Sequence, residues 1–286
     1  MYVARVIHAL PATIPPPATP THAHTHTPQD VCRAMAEKIG FADAEDDGLC
    51  FSLNECLDGA TIGRALAPEC EVLGIMEKWR GKPEAKFIYQ CKLYTDTIIS
   101  SKDPKVLHML FIQGVYNVIS GNYPASEKDA VALAALQFQA RFGPHNPSSH
   151  KPGFLTATLV EYVPAAHLEK GGKTPAQWEE LIFHKHAFST TSTPREAYLA
   201  LLSRRDYYGS VMFAVKQKFN HRFPRKVYLG ISRRGITLLA IPKSATEEDM
   251  VTQTQHPLAD VYRWAYKPGV NFYYEVKAVR SPDSPR

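Results

Sequence analysis

Apolar residues recur every three to four positions over 103–120 and again over 126–142, which predicts two long helices joined by the turn Gly121-Asn122-Tyr123-Pro124. In the first, Leu107, Leu110, Phe111, Gly114 and Val118 form one stripe, and Met109, Ile112, Tyr116 and Ile119 widen it beyond the face of an ordinary surface helix. In the second, Val131, Ala134, Ala135, Phe138 and Phe142 repeat the pattern until Gly143-Pro144 ends it. Two further helices, 175–186 and 194 to about 205, complete a four-helix unit with a looser stretch over 154–168. Upstream, Val31, Met35 and Ile39 share one face of a helix that starts at Pro28 and is closed by Gly40. A strand over 50–53, a turn at Asp58-Gly59, a short helix over 72–79 and an alternating strand over 87–93 follow. From Gly209 the period changes to two. Strands are predicted over 210–217, 227–232, 236–241, 250–255, 261–266 and 270–276, with turns at Arg233-Arg234-Gly235 and Lys267-Pro268-Gly269, as in an antiparallel sandwich or small barrel.

The helix starts share one signature: a Thr, Ser or Asp cap, often with proline next and a side-chain acceptor three residues on. Thr27-Pro28 with Asp30, Asp103-Pro104, Ser126 with Asp129, Thr174-Pro175 with Gln177, and Thr193-Pro194 with Glu196 all follow it. Nearly all the polar chemistry beside the helices is therefore capping chemistry, which points to a scaffold or binding module and away from an enzyme.

Composition changes this picture little. At 286 residues, 44% hydrophobic and 21% charged, the chain is ordinary globular protein, long enough for two or three small cores. The net charge of +5 is unevenly spread: nine Lys or Arg lie between Arg204 and Arg234 against the single acid Asp206, while Asp43, Glu45, Asp46 and Asp47 cluster far upstream. The five cysteines (Cys32, Cys50, Cys56, Cys70, Cys91) are odd in number and irregularly spaced, which fits a reducing, cytoplasmic setting and neither a disulfide framework nor a zinc knuckle. No signal-peptide core or membrane span is recognisable. Residues 11–27, rich in Pro and Thr, are expected to form a flexible linker, and the alternating His22, His24 and His26 there offer at most adventitious metal binding.

No cysteine follows a histidine, as a tyrosine-phosphatase nucleophile requires. Gly230-Ile231-Ser232-Arg233-Arg234 lacks the closing glycine of a nucleophile elbow, and Gly171-Gly172-Lys173-Thr174 lacks the earlier glycine and feeding strand of a phosphate loop. His184 and His186, two apart on one helix, point to different faces. Trp79, Trp178 and Trp264 read as core anchors. No cofactor, no metal site and no nucleic-acid partner is expected.

The ordered set of lobes carries a resemblance. The run 115–124 (VYNVISGNYP), then Ser126-Glu127-Lys128-Asp129-Ala130 and Leu133-Ala134-Ala135-Leu136-Gln137, resembles the central lobe of FERM domains, especially those of tail-bearing unconventional (MyTH4-FERM) myosins, with talin as the runner-up. His150-Lys151-Pro152-Gly153-Phe154, Tyr208-Gly209-Ser210 and Leu229-Gly230-Ile231 match further. The resemblance implies an α+β fold of three lobes after a disordered linker (1–27): a partial ubiquitin-like roll (28–97), a four-helix acyl-CoA-binding-protein-like bundle (98–206) and an incomplete PH/PTB-like antiparallel barrel (207–277), then a disordered tail (278–286). The first lobe lacks its opening hairpin and the third its last strand or strands and its C-terminal helix, so the chain is expected to be a fragment.

Function follows as expectation from the same resemblance. The chain is expected to be a cytoskeletal adaptor or cargo-binding module, found in the cytoplasm, at the cytoskeleton and at the peripheral plasma membrane. It would bind cytoplasmic tails of membrane proteins or cytoskeletal proteins, with Val261, Tyr262, Trp264 and Tyr266 as the peptide-binding strand. Weak contact with anionic lipid, phosphoinositide among them, falls to Lys216, Lys218, Arg222, Arg225, Lys226, Arg233 and Arg234. The alternative is a regulatory part of a larger enzyme, a myosin or kinesin motor ATPase or a phosphatase, whose catalytic domain lies outside this chain.

Overall fold

The computed structural model describes residues 26–59, 62–169, 172–218, 221–240, 252–267 and 271–277. The expected linker up to residue 25, the tail 278–286, and the predicted turn at Pro268-Gly269 lie outside the described residues. The chain divides into two units, one running to Tyr116 and taking in Arg195–Leu199, the other formed by Asn117–Pro194 and Ala200–Arg286.

In the first unit, Thr27 caps α1 (Pro28–Ile39) in the reciprocal way its sequence predicts: its hydroxyl accepts the Asp30 amide at 3.2 Å while the Asp30 carboxylate accepts the Thr27 amide at 3.0 Å. Gly40 ends the helix with φ of 85°, a left-handed conformation that a side chain would strain. The acidic cluster is itself a helix, α2 (Ala44–Leu49), capped by Asp43 and carrying Glu45, Asp46 and Asp47 in its first turn, where the helix dipole favours negative charge. Strand β1 (Phe51–Cys56) follows, then α3 (Val72–Glu77), β2 (Lys86–Cys91), α4 (Asp96–Ile99) and the start of α5 (Pro104–Ile119). β1 and β2 pair antiparallel, with Phe51 opposite Cys91 and Cys56 opposite Lys86. Nearly every residue of the pair is buried, so both faces are covered, and Phe51 stacks on Tyr89 at 4.8 Å against the buried Cys32, Met35 and Ala36 of α1. Phe111 of α5 meets Tyr198 edge-on at 5.1 Å.

In the second unit, α6 (Glu127–Phe142) and α8 (Pro175–Phe188) enclose a core of Ala134, Ala135, Phe138, Leu155, Leu159, Trp178 and Ile182. The stretch expected to be loose contains a 3-10 turn (Thr156–Glu161) and α7 (Ala165–Glu169). A single carboxylate fixes its entry. Glu179 of α8 is buried and accepts the Gly153 amide at 2.7 Å and the Leu155 amide at 2.6 Å. Ser126 and Thr174 cap α6 and α8 as predicted, whereas Thr193, before α9 (Pro194–Ser203), makes no side-chain cap bond, its backbone (φ −125°, ψ 64°) lying outside the extended conformation of the other two caps.

The strands that follow are β3 (Val211–Lys216), β4 (Lys226–Ser232), β5 (Gly235–Ala240), β6 (Thr252–Pro257), β7 (Val261–Lys267) and β8 (Asn271–Val276). They do not form one sheet. β3-β4-β5-β6 is a four-stranded antiparallel sheet and β7-β8 a separate hairpin, because Pro257 ends β6 and a 3-10 turn (Leu258–Asp260) redirects the chain. Val227, Leu229, Ile236 and Leu238 form the sheet core, with Phe223, Val261 and Tyr274 packed against it. At the β4–β5 turn Gly235 has φ of 130°, and a Cβ there would sit 2.0 Å from the His256 carbonyl oxygen, so only glycine fits.

Residues 205–209 join the helices of this unit to its sheet. Arg205 pairs with Asp129, the Tyr207 hydroxyl donates to the Pro124 carbonyl, and the Gly209 amide donates to the Tyr123 hydroxyl at 3.0 Å. From the sheet side, Arg234 donates to the carbonyls of Asp206 and Tyr208 at 3.2 and 3.0 Å, and Thr252 donates to the Asp206 carboxylate at 2.5 Å.

Candidate functional site

The β3–β4 register decides where the basic residues go. Lys216, last of β3, lies opposite Lys226, first of β4, and the connection between them carries Lys218, Arg222 and Arg225. Five exposed cations therefore crowd one end of a hairpin. Arg233 and Arg234 sit past the other end of β4, about 20 Å away at roughly 3.3 Å per residue. The seven cations fall into two groups, and Arg234 is engaged with the carbonyls of residues 206 and 208.

A residue that charge reasoning passes over braces the larger group. Gln217 is buried, its side-chain amide donates to the carbonyls of Phe223 and Pro224 at 3.0 Å each, and its backbone amide donates to the Arg225 carbonyl at 2.8 Å. Phe223 packs on the sheet core. The cation-bearing connection is thus pinned at both ends, and like charges are held close together. The available signal was a lone neutral amide amid cations, which in sequence resembles any surface glutamine.

The candidate peptide strand is β7. Tyr262, Trp264 and Tyr266 alternate along one side and are 68%, 64% and 65% exposed, and the Trp264 and Tyr266 rings lie 6.3 Å apart, nearly parallel. Val261 turns toward the sheet core. Trp264 is therefore no core anchor: among the described residues β7 pairs with β8 alone, and both strands are largely exposed. Trp178 is the anchor its pattern predicts, and Trp79 is half-buried against Phe87 at 4.3 Å. Opposite the aromatic side, Arg263 and Glu275 pair at 2.8 Å; the hydrogen bond from Arg263 holds the Glu275 carboxyl below its usual range. Burial raises the Tyr274 hydroxyl pKa.

The decisive comparison concerns the centre of the chain: residues 97–213 match the family model of the FERM central domain. This segment is a FERM central domain. Talin-A of Dictyostelium discoideum is 29% identical over 239 residues, which is 82% of this chain and 9% of Talin-A. The chain thus spans less than a tenth of that relative's length. In fold, the human Myosin 7b C-terminal MyTH4-FERM domain, solved with a harmonin-a PDZ3 domain, superposes with a TM-score of 0.61 at 22% identity, covering 87% of this chain and 51% of that one. The Drosophila Merlin FERM domain gives 0.62 at 16% identity over 91% of this chain and 82% of that one. The α+β FERM fold expected from the sequence is the fold observed, shared with myosin-tail and Merlin domains alike.

Proposed function

We propose that this FERM chain is a non-enzymatic adaptor that links the actin or microtubule cytoskeleton to membrane-protein tails and to anionic lipid at the cytoplasmic face of the plasma membrane. In this reading residues 28–97, 98–206 and 207–277 act as three lobes. The supporting observation is the Gln217-braced connection, which concentrates Lys216, Lys218, Arg222, Arg225 and Lys226 at one hairpin end. At roughly 1 kcal/mol per cation near an anionic bilayer, five supply about 5 kcal/mol, a dissociation constant somewhat below a millimolar. That is transient attachment. It needs a second contact, for which β7 offers exposed aromatics to an extended peptide tail.

Among the described residues no helix is long and apolar enough to cross a membrane, so attachment in this reading is from one side. The test is co-sedimentation with vesicles containing phosphatidylinositol bisphosphate, against neutral vesicles, at two salt concentrations. Charge reversal of Lys216 and Lys226 should weaken pelleting at least tenfold, and raising salt should do the same. Pelleting that is indifferent to salt and to the substitutions would refute the electrostatic attachment.

A further inference from the structure

Three histidines from two stretches of the second unit, a turn and a distant helix end, meet beside the end of α6. His145 and His150 flank the turn after Gly143, and His186 lies in the last turn of α8. One ring nitrogen of each lies within 4.8 Å of the other two. His186 is 1% exposed, and its Nε2 lies 3.0 Å from the Gly143 carbonyl oxygen. In the neutral ring Nε2 therefore carries the proton, and Nδ1 keeps a free lone pair. That Nδ1 is buried without a hydrogen-bond partner, and so is Nδ1 of His145. An imidazole oriented by a backbone carbonyl through one nitrogen, with the other bare, has the arrangement of a metal ligand.

We propose that His145, His150 and His186 form a binding site for one divalent transition-metal ion of the Zn2+ class. Three imidazoles without a carboxylate suit Zn2+, Cu2+ or Ni2+ and not the oxygen-seeking Mg2+ or Ca2+. Nitrogens bound at about 2.0–2.1 Å in a tetrahedron stand roughly 3.3 Å apart, so the cluster closes by small ring rotations. Nδ1 of His150 accepts the Asn146 amide at 3.1 Å, a bond that ligation through that nitrogen would exchange for the ion. Phe138 faces His150 at 4.9 Å and His186 at 5.1 Å and gives the cluster an apolar wall on one side. His145 is only partly buried and opens the fourth position to solvent. A bound ion would tie the turn after α6 to the end of α8.

The test uses the full chain with His22, His24 and His26 changed to alanine, which removes the other histidine-rich stretch. Co2+ titration followed by visible absorption, and Zn2+ titration followed by calorimetry and thermal melting, should show one equivalent bound, tetrahedral Co2+ bands and a raised Tm, with no response to Mg2+ or Ca2+. His145→Ala and, independently, His150→Gln should weaken Zn2+ binding about tenfold or more and remove the Tm gain, with circular dichroism showing that each variant folds. No stoichiometric binding, as when the cavity holds a buried water only, overturns the proposal, as does binding unchanged in both folded variants.

Discussion

Asp47 shows how one buried side chain ties stability to pH. Its carboxyl sits in α2 with its pKa pushed above the ordinary value, by burial first and then by repulsion from Asp43, Asp103 and Asp46. An acid raised in the folded state favours the protonated form there. Its contribution is fully present below the unfolded-state value near 3.8 and is lost as pH climbs through the higher folded value. Asp47→Asn is accordingly expected to stabilise the protein at neutral pH and to change little near about pH 3, compared by urea denaturation at both. Thiol chemistry should be equally local. Cys32 is pushed up to about 12 by burial, and Cys70 is the one cysteine of the five that is not buried, so a disulfide reagent should label Cys70 first in the native protein. The two tryptophans separate packing from display: Trp178→Ala should cost about 3–5 kcal/mol, whereas Trp264→Ala should shift stability by less than about 0.5 kcal/mol while weakening peptide binding.

At the scale of elements, the caps were the most legible part of the chain. Thr27, Ser126 and Thr174 make the bonds their spacing predicts, because a cap is a contact between residues three apart and needs no tertiary knowledge. The short helices α2 and α4 escaped the same logic, although Asp43 and Thr95 cap them in the ordinary way, since neither carries a repeating apolar stripe, whereas the equally short α3 was legible over 72–79. Most strands were placed to within a residue or two, although β1 runs three residues past the expected 50–53, but their grouping was not visible, because alternation reports exposure and is silent on which strand pairs with which. The division of the basic residues was hidden for the same reason, and so was the meeting of His145 and His150 with His186, which depends on a turn and a distant helix end. Two changes test the braces found here. Gln217→Ala removes no charge, yet it should loosen the β3–β4 connection and lower vesicle binding. Glu179→Ala strands two amides and should cost about 2–5 kcal/mol in chemical denaturation.

For the molecule as a whole, the bonds around residues 205–209 govern how the second unit comes apart. A chain that alternates helices and strands often has a hinge where one kind of element gives way to the other. Here that stretch is held by side chains from α6, from the turn before it and from the sheet. Amide exchange in α6 and in β4–β5 is expected to report one opening event of similar free energy, and Tyr207→Phe with Arg234→Ala should split it into two. In the proposed adaptor role, tension on a peptide held at the sheet would pass directly into the helices through Arg205, Tyr207 and Arg234, making this short stretch the coupling that transmits load.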